Sequence, residues 1–330
     1  MIPQSICIVT KSQHICFGPV HIKLRIMNNK VENLYILGNG FDIHHNIQCK
    51  YSDFHEWLCV NNPMLENRLF QVYGLHHNDF WSSFETNLGE ITTEAILEGY
   101  VYAPMMMFIH SINEEEPVVL NMDDYTEQVG EIGYTLERLY NDLQLAFSNW
   151  IFQLENADPV RRVRIDKNKS AFINFNYTQT LENLYAIVSS NILYVHGCAV
   201  KNDKLIFGHN KTPDKILENW QENYSQEELS VLVEASNELS VLYKDVKSII
   251  ENNCTFWESI KYANKIHVWG LSLSDVDMPY ISHIHSILNN DGVEWEFSWY
   301  VESDKNRIME IINRLQIKDY TLIKLADIVC

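Results

Sequence analysis

Basic residues are scarce in this chain. Lys and Arg total 25 against 44 Asp and Glu, which gives a net charge of −19 over 330 residues. A broad electropositive face of the kind that holds nucleic acid is therefore disfavoured, while a local basic pocket stays open. Long apolar runs are missing too. Stretches such as Tyr102–Ile109 are far too short to span a bilayer, so no membrane partner is expected. The seven cysteines are an odd number, and none are spaced as C-x-x-C. That pattern argues against a disulfide framework or a zinc ribbon and for reduced thiols in the cytoplasm. There is no internal repeat and no low-complexity segment. Residues 1–26 follow no clear period and lack a charged-then-apolar leader pattern. Met27 is therefore expected to be the natural start, with 1–26 as an upstream extension.

What is present suffices for a large core. Hydrophobic residues make up 46% and aromatics 12% of the chain, which excludes chain-wide disorder. Leu34–Leu37 reads as a buried strand and ends in Gly38-Asn39-Gly40-Phe41-Asp42. A strand that stops at a Gly-x-Gly turn and passes into a helix opens a Rossmann-like unit. Ser52 is expected to cap a helix carrying Phe54, Trp57 and Leu58. Phe80, Trp81, Phe84 and Leu88 recur at helical spacing. Leu136, Leu139, Tyr140, Leu143, Phe147, Trp150, Ile151 and Leu154 form one stripe on a helix over Tyr134–Leu154, expected to face the core. Just before it, residues 113–131 hold seven acids and no Lys or Arg, which reads as a solvated, partly mobile stretch.

Strand-like runs return at Ala171–Phe175, Ile192–Val195, Leu205–Phe207, Ile266–Trp269, Trp295–Val301 and Thr321–Leu325, with a helix near Pro279–Leu288. The pattern predicts one α/β fold, a Rossmann-like parallel sheet over 27–330, with mostly helical insertions at about 61–165 and 213–263.

Several of these strands end in residues that can carry chemistry. Gly38 and Gly40 let a backbone approach a diphosphate, although a structural tight turn explains a bare Gly-x-Gly about as well. Asp42 can bond a ribose or cap the next helix. The loop Asn174–Glu182 carries Asn176, whose carboxamide can orient a ribose or a water, and Thr178. His196-Gly197 follows the next strand, and an imidazole there is a reasonable general base. Trp269–Asp277 again gives a strand, a glycine turn and a polar loop. There Gly270 and Ser272 can hold a phosphate, and Asp275 or Asp277 a ribose. Helix capping is the plain alternative at each position. The recurrence of such residues at one sheet edge is what raises the functional view.

Leu34–Asp42 together with Tyr51-Ser52-Asp53-Phe54 resembles the start of the AbiH family of bacterial abortive-infection proteins. Phe80-Trp81, Phe84-Glu85, Asn174–Leu181, His196-Gly197, Gly208-His209-Asn210 and Val268–Tyr280 continue the resemblance over about residues 30–290. The same core is similar, more distantly, to sirtuin-like NAD-consuming defence domains. That likeness implies a sirtuin-like fold in which Gly38, Asn39, Gly40, Phe41 and Asp42 lie on the first nucleotide-binding turn. It implies Asn176 and His196 as catalytic residues and Thr178, Gly270, Ser272, Asp275 and Asp277 as ligand contacts. Asp42 stands where those domains carry Ser, Thr178 where they carry Asp, and Leu271 where many AbiH-like chains carry His.

The implied function is an antiphage effector that binds and hydrolyses NAD or a related nucleotide, with no cofactor or metal required. Self-association or a regulatory protein partner fits the helical insertions. A nuclease or nucleotide phosphohydrolase is an alternative, with His44, His45, Asp42, His209, Asp275 and Asp277 as metal candidates, though none has firm ligand spacing. A non-catalytic nucleotide-sensing module of a toxin–antitoxin pair is another. Cys198, beside His196-Gly197, is a weaker nucleophile candidate.

Overall fold

A computed structural model describes residues 30–73, 79–97, 122–154, 158–220, 224–288 and 292–328. The expected extension 1–26 and residues 113–121 of the acidic stretch lie outside the described residues.

Six strands form one parallel sheet: β1 Asn33–Leu37, β2 Ser170–Asn174, β3 Ile192–Tyr194, β4 Lys265–Trp269, β5 Glu294–Ser298 and β6 Asp319–Ile323. Their order is β3-β2-β1-β4-β5-β6, that of a Rossmann-like fold. Among the described residues the helices are α1 Asn39–His44, α2 Tyr51–Asn61, α3 Pro63–Tyr73, α4 Asp79–Ser82, α5 Phe84–Asn87, α6 Thr93–Leu97, α7 Met122–Leu154 and α8 Thr180–Tyr185. They continue as α9 Pro213–Asn219, α10 Gln226–Leu239, α11 Val246–Asn252, α12 Cys254–Ile260, α13 Met278–Ile287 and α14 Glu302–Leu315.

A parallel sheet is covered on both faces, so its inner strands are apolar throughout. In β1, Leu34 and Ile36 join Ile266, Val268 and Phe297 under α12, α13 and α14. Tyr35 and Leu37 point the other way and pack with Phe172, Trp269 and Tyr185. Register puts Phe172, Tyr35 and His267 side by side. Their rings stack, with Tyr35 centred 5.1 Å from Phe172 and 4.3 Å from His267.

A third core lies among the helices, with Phe54, Phe84, Leu88, Tyr140, Leu143 and Phe147 fully buried. The stripe of α7 faces it, as its spacing predicted. Residues from both insertions build this core. Trp220 Nε1 donates to the Ile91 carbonyl at 3.2 Å, and Tyr224 bonds Thr93 at 2.8 Å across them.

Four local expectations are corrected. Leu205–Phe207 is not a strand, because Leu205 and Phe207 turn into the helical core and the sheet stops at β3. The α2 cap is not Ser52: the Lys50 amide donates to the Asp53 carboxylate at 2.8 Å. Helix α7 runs back to Met122 through part of the acidic stretch. The helical spacing over Asp79–Leu88 breaks into two short helices, α4 and α5.

Among the described residues, Cys49, Cys59, Cys198 and Cys254 are free thiols. No helix of the described residues is long and apolar enough to cross a membrane.

Candidate functional site

The chain moves from β1 to β2 and β3 on one side and returns to β4, β5 and β6 on the other. The direction reverses between β1 and β4, the place where open α/β sheets bind ligands beyond their carboxyl ends. A cleft of about 1400 Å³ opens there. Gly38, Asn39, Gly40, Asp42, Asn176, Thr178, His196, Gly270, Ser272, Asp275 and Asp277 all line it. Phe41 does not. Its ring is 1% exposed and packs on His45 and Tyr185.

The glycines have a different task from the one expected of them. A Cβ on Gly38 would lie 2.5 Å from Leu271 Cα, and one on Gly270 would lie 2.1 Å from the Phe41 nitrogen. Gly270 also has φ +64°, a left-handed value that favours glycine. The two turns pack backbone on backbone. Gly40 N donates to Gly270 O at 2.7 Å, Gly38 N to Trp269 O at 3.0 Å and Phe41 N to Gly38 O at 2.9 Å. Gly270 N donates to Ser298 Oγ at 2.8 Å. These amides are engaged inside the protein and are not aimed at a diphosphate.

Thr178, an expected ligand contact, and Asn176, an expected catalytic residue, serve as ties. Thr178 Oγ1 donates to Asp42 Oδ2, and Thr178 and Thr180 share a 3.0 Å hydroxyl bond. Asn176 Nδ2 donates to Gly38 O at 3.1 Å, and its amide donates to Asn174 Oδ1 at 3.0 Å. The loop after β2 is thereby fixed to the turn after β1.

His196 belongs to a buried polar network. Its Nδ1 lies 3.2 Å from Phe175 O and its Nε2 3.4 Å from Lys244 Nζ. Burial first, and then the Lys244 charge, hold the imidazole well below its ordinary pKa. Lys244 is 1% exposed and grips both Glu85 oxygens at 2.7 and 2.8 Å. Tyr177 donates to Glu85 at 3.4 Å, and Tyr51 lies close enough to both for the Glu85 charge to act on its phenol. Burial, followed by the Glu85 charge, raises both phenols well above their usual range.

Asp277 is the other buried acid of the cleft. Ser272 and Ser274 each donate to its Oδ2 at 3.1 Å. Burial pushes its carboxyl up to about 6; Glu85 pushes the same way, while Lys244 and the two serines pull it down. The loop that brings Ser272 to it holds Leu273 at φ +54°, a strained value for a leucine.

Glu85, Lys244, Tyr51 and Tyr177 emerge from the structure as site residues. Glu85 had a trace in the sequence, an acid directly after the aromatic run Phe80–Phe84. Lys244 had none, because burial of one lysine follows no period. The metal set weighed for a nuclease does not assemble. His45 bonds Phe41 O at 2.7 Å and Tyr185, and His209 bonds Leu239 O at 3.0 Å. Cys198 is fully buried and does not line the cleft.

Fold and site together define a Rossmann-like α/β protein with a polar cleft at its switch point. A family model described as bacteriophage abortive infection AbiH matches residues 34–299, and the chain belongs to that family. Membership carries a role in phage abortive infection. No match was found among curated proteins or among solved structures.

Proposed function

We propose that the protein is an abortive-infection effector whose cleft binds NAD or a related nucleotide and hydrolyses the nicotinamide–ribose bond. The observation that carries this reading is the division of charge in the cleft. Its buried acids are Asp42 and Asp277, with Glu85 beside them. Its cations, Lys50, Arg162, Arg307, Arg314 and Lys324, are exposed at the mouth, where they outnumber the unburied acids Asp275, Asp304 and Glu310. Cations suit a diphosphate, and acids in a water-poor site suit the positive charge that develops on the ribose.

As the glycosidic bond breaks, its electron pair moves into the pyridinium ring and nicotinamide leaves neutral. Water adds to the ribose carbon and gives up a proton. Asn176 would orient that water or the ribose. Asp277 would take the proton, since its pKa lies nearer working pH than that of an ordinary carboxylate. His196 is a poor base with both ring nitrogens engaged, and in this scheme it positions Lys244 and Glu85.

Purified protein incubated with NAD is expected to release nicotinamide, and Asn176→Ala and Asp277→Asn are expected to lose at least 100-fold in rate, about the contribution of one acid–base group. Binding of NAD without turnover would make the chain a sensing module. Full activity in both variants would sink the site assignment.

A further inference from the structure

Helices α2 and α3 carry a second cluster that the proposed reaction does not use. His55 and Cys59 stand four residues apart on α2, so they share one face of the helix. Glu66 comes from the first turn of α3. One ligand atom from each of the three lies within 4.8 Å of the other two. His55 Nε2 is 3.2 Å from Glu66 Oε1.

The support for this cluster is rigid. A single residue, Asn62, joins the two helices. Its amide donates to Leu58 O at 2.8 Å, and its carboxamide oxygen accepts from Leu65 N at 3.2 Å. Pro63 occupies the first position of α3, where its fixed φ suits a helix start. Behind the cluster, Phe54, Leu58, Leu65 and Leu69 are buried and lock the pair together. The His55 ring stacks on the Trp81 indole at 4.5 Å and 13°, which sets its plane.

We infer that His55, Cys59 and Glu66 bind a zinc-type divalent ion, with one coordination position left open. The donors are imidazole nitrogen, thiolate and carboxylate. That mixture suits zinc and its borderline neighbours, whereas calcium and magnesium take oxygen alone. A plain His55–Glu66 ion pair needs no thiol one turn along the same face. Without a cation, burial and the Glu66 and Glu56 carboxylates push the Cys59 thiol up. Coordination reverses this, since a ligating thiol gives up its proton.

The site borders a second cavity of about 520 Å³, lined by His55 and Trp81 together with Asn39, Lys50, Tyr51 and Ser82. Those last four residues also line the main cleft. An ion that clamps α2 to α3 therefore fixes the helix whose first residue, Tyr51, lines the main cleft together with Glu85. This inference does not depend on the proposed reaction.

The test uses the full chain, stripped with a chelator and titrated with zinc against a chromophoric competitor, and separately with cobalt(II). One equivalent of metal and a cobalt–thiolate charge-transfer band are expected. Cys59→Ser should abolish the band, and both it and His55→Gln should weaken zinc binding by about 10-fold or more. Cys254→Ser, at the other exposed thiol among the described residues, should change neither. Cys59 is exposed, so its substitution leaves the core intact, and circular dichroism of the metal-free variants checks this. No metal uptake by the wild type, or an unchanged band in Cys59→Ser, overturns the inference.

Discussion

His196 Nε2 faces Lys244 Nζ at 3.4 Å. An ammonium has no lone pair, so the imidazole accepts there. Its proton then sits on Nδ1, which donates to Phe175 O at 3.2 Å. This relationship fixes the tautomer and keeps the ring neutral. A histidine at a strand end beside a glycine looked like a free base in the sequence. In the fold it is one member of a closed network that also holds Lys244 and Glu85.

Removing Lys244 should expose how far that network supports the fold. The ammonium is the cationic partner of Glu85 inside the protein, and Asp277 also feels its charge. Breaking a buried pair from one side costs about 3–5 kcal/mol, because the remaining charge is left uncompensated. Lys244→Met is expected to lose that much in urea unfolding, and adding Glu85→Gln should restore part of it. A Lys244→Met variant within about 1 kcal/mol of wild type would refute the pairing.

The glycine turns make an opposite pair of expectations. Gly38→Ala and Gly270→Ala push a methyl into backbone, so both should destabilise the protein with no ligand present. Gly292 has φ +78° but nothing within 4 Å of an added Cβ. Gly292→Ala should therefore cost only the conformational penalty, about 1–2 kcal/mol. Thermal unfolding of the three variants separates loop packing from ligand approach. If Gly38→Ala and Gly270→Ala unfold like wild type and lose only nucleotide affinity, the packing account is wrong.

The strands and the switch-point cleft were legible because parallel strands bury both faces and write short apolar runs. Gly38, Asn176, His196 and Gly270 could be placed at one edge for the same reason. Leu205–Phe207 has the same local pattern as a strand, and only tertiary packing sends it into the helical core. The roles of the site residues were less legible. Gly38 and Gly270 meet across 232 residues of chain, a contact that no local pattern announces. Lys244 comes to His196 and Glu85 from an otherwise ordinary loop, and no period marks it. The His55–Cys59–Glu66 cluster was not singled out in the sequence, because Glu66 reaches the other two only through the one-residue corner between α2 and α3.

Asp277 gives the stability a pH dependence whose sign can be worked out. Its carboxyl titrates at about 6 in the fold against an ordinary value of 3.8. Between these values the folded state holds a proton that the unfolded chain has lost, so stability falls as pH rises through this window. About two units correspond to about 3 kcal/mol. His196 acts the other way, because its depressed pKa costs stability as pH falls below its ordinary value. The comparison with Asp277→Asn isolates the acid. Across about pH 4 to 7 the variant should gain about 3 kcal/mol on wild type. A constant difference in denaturant unfolding at each pH would show that Asp277 titrates normally.

Arg307 separates the two roles open to a cation at the cleft mouth. Its Nη1 donates to Ser272 O at 2.8 Å, so it braces the loop that carries Ser272 and Ser274 to Asp277. Under the proposed function its remaining donors also meet the diphosphate. An exposed charge-assisted bond is worth about 1 kcal/mol, so Arg307→Ala should weaken NAD binding about 5-fold. KM should rise while kcat holds, because the phosphate is bound alike in the ground and transition states. Nicotinamide riboside carries no phosphate and should bind wild type and variant equally. An equal loss for both ligands means that Arg307 acts through the Ser272 loop alone, and the diphosphate must then lie elsewhere along the cleft. A loss confined to NAD, and reduced by added salt, puts the phosphates at this end, over the amino-terminal side of α13 and beside α14.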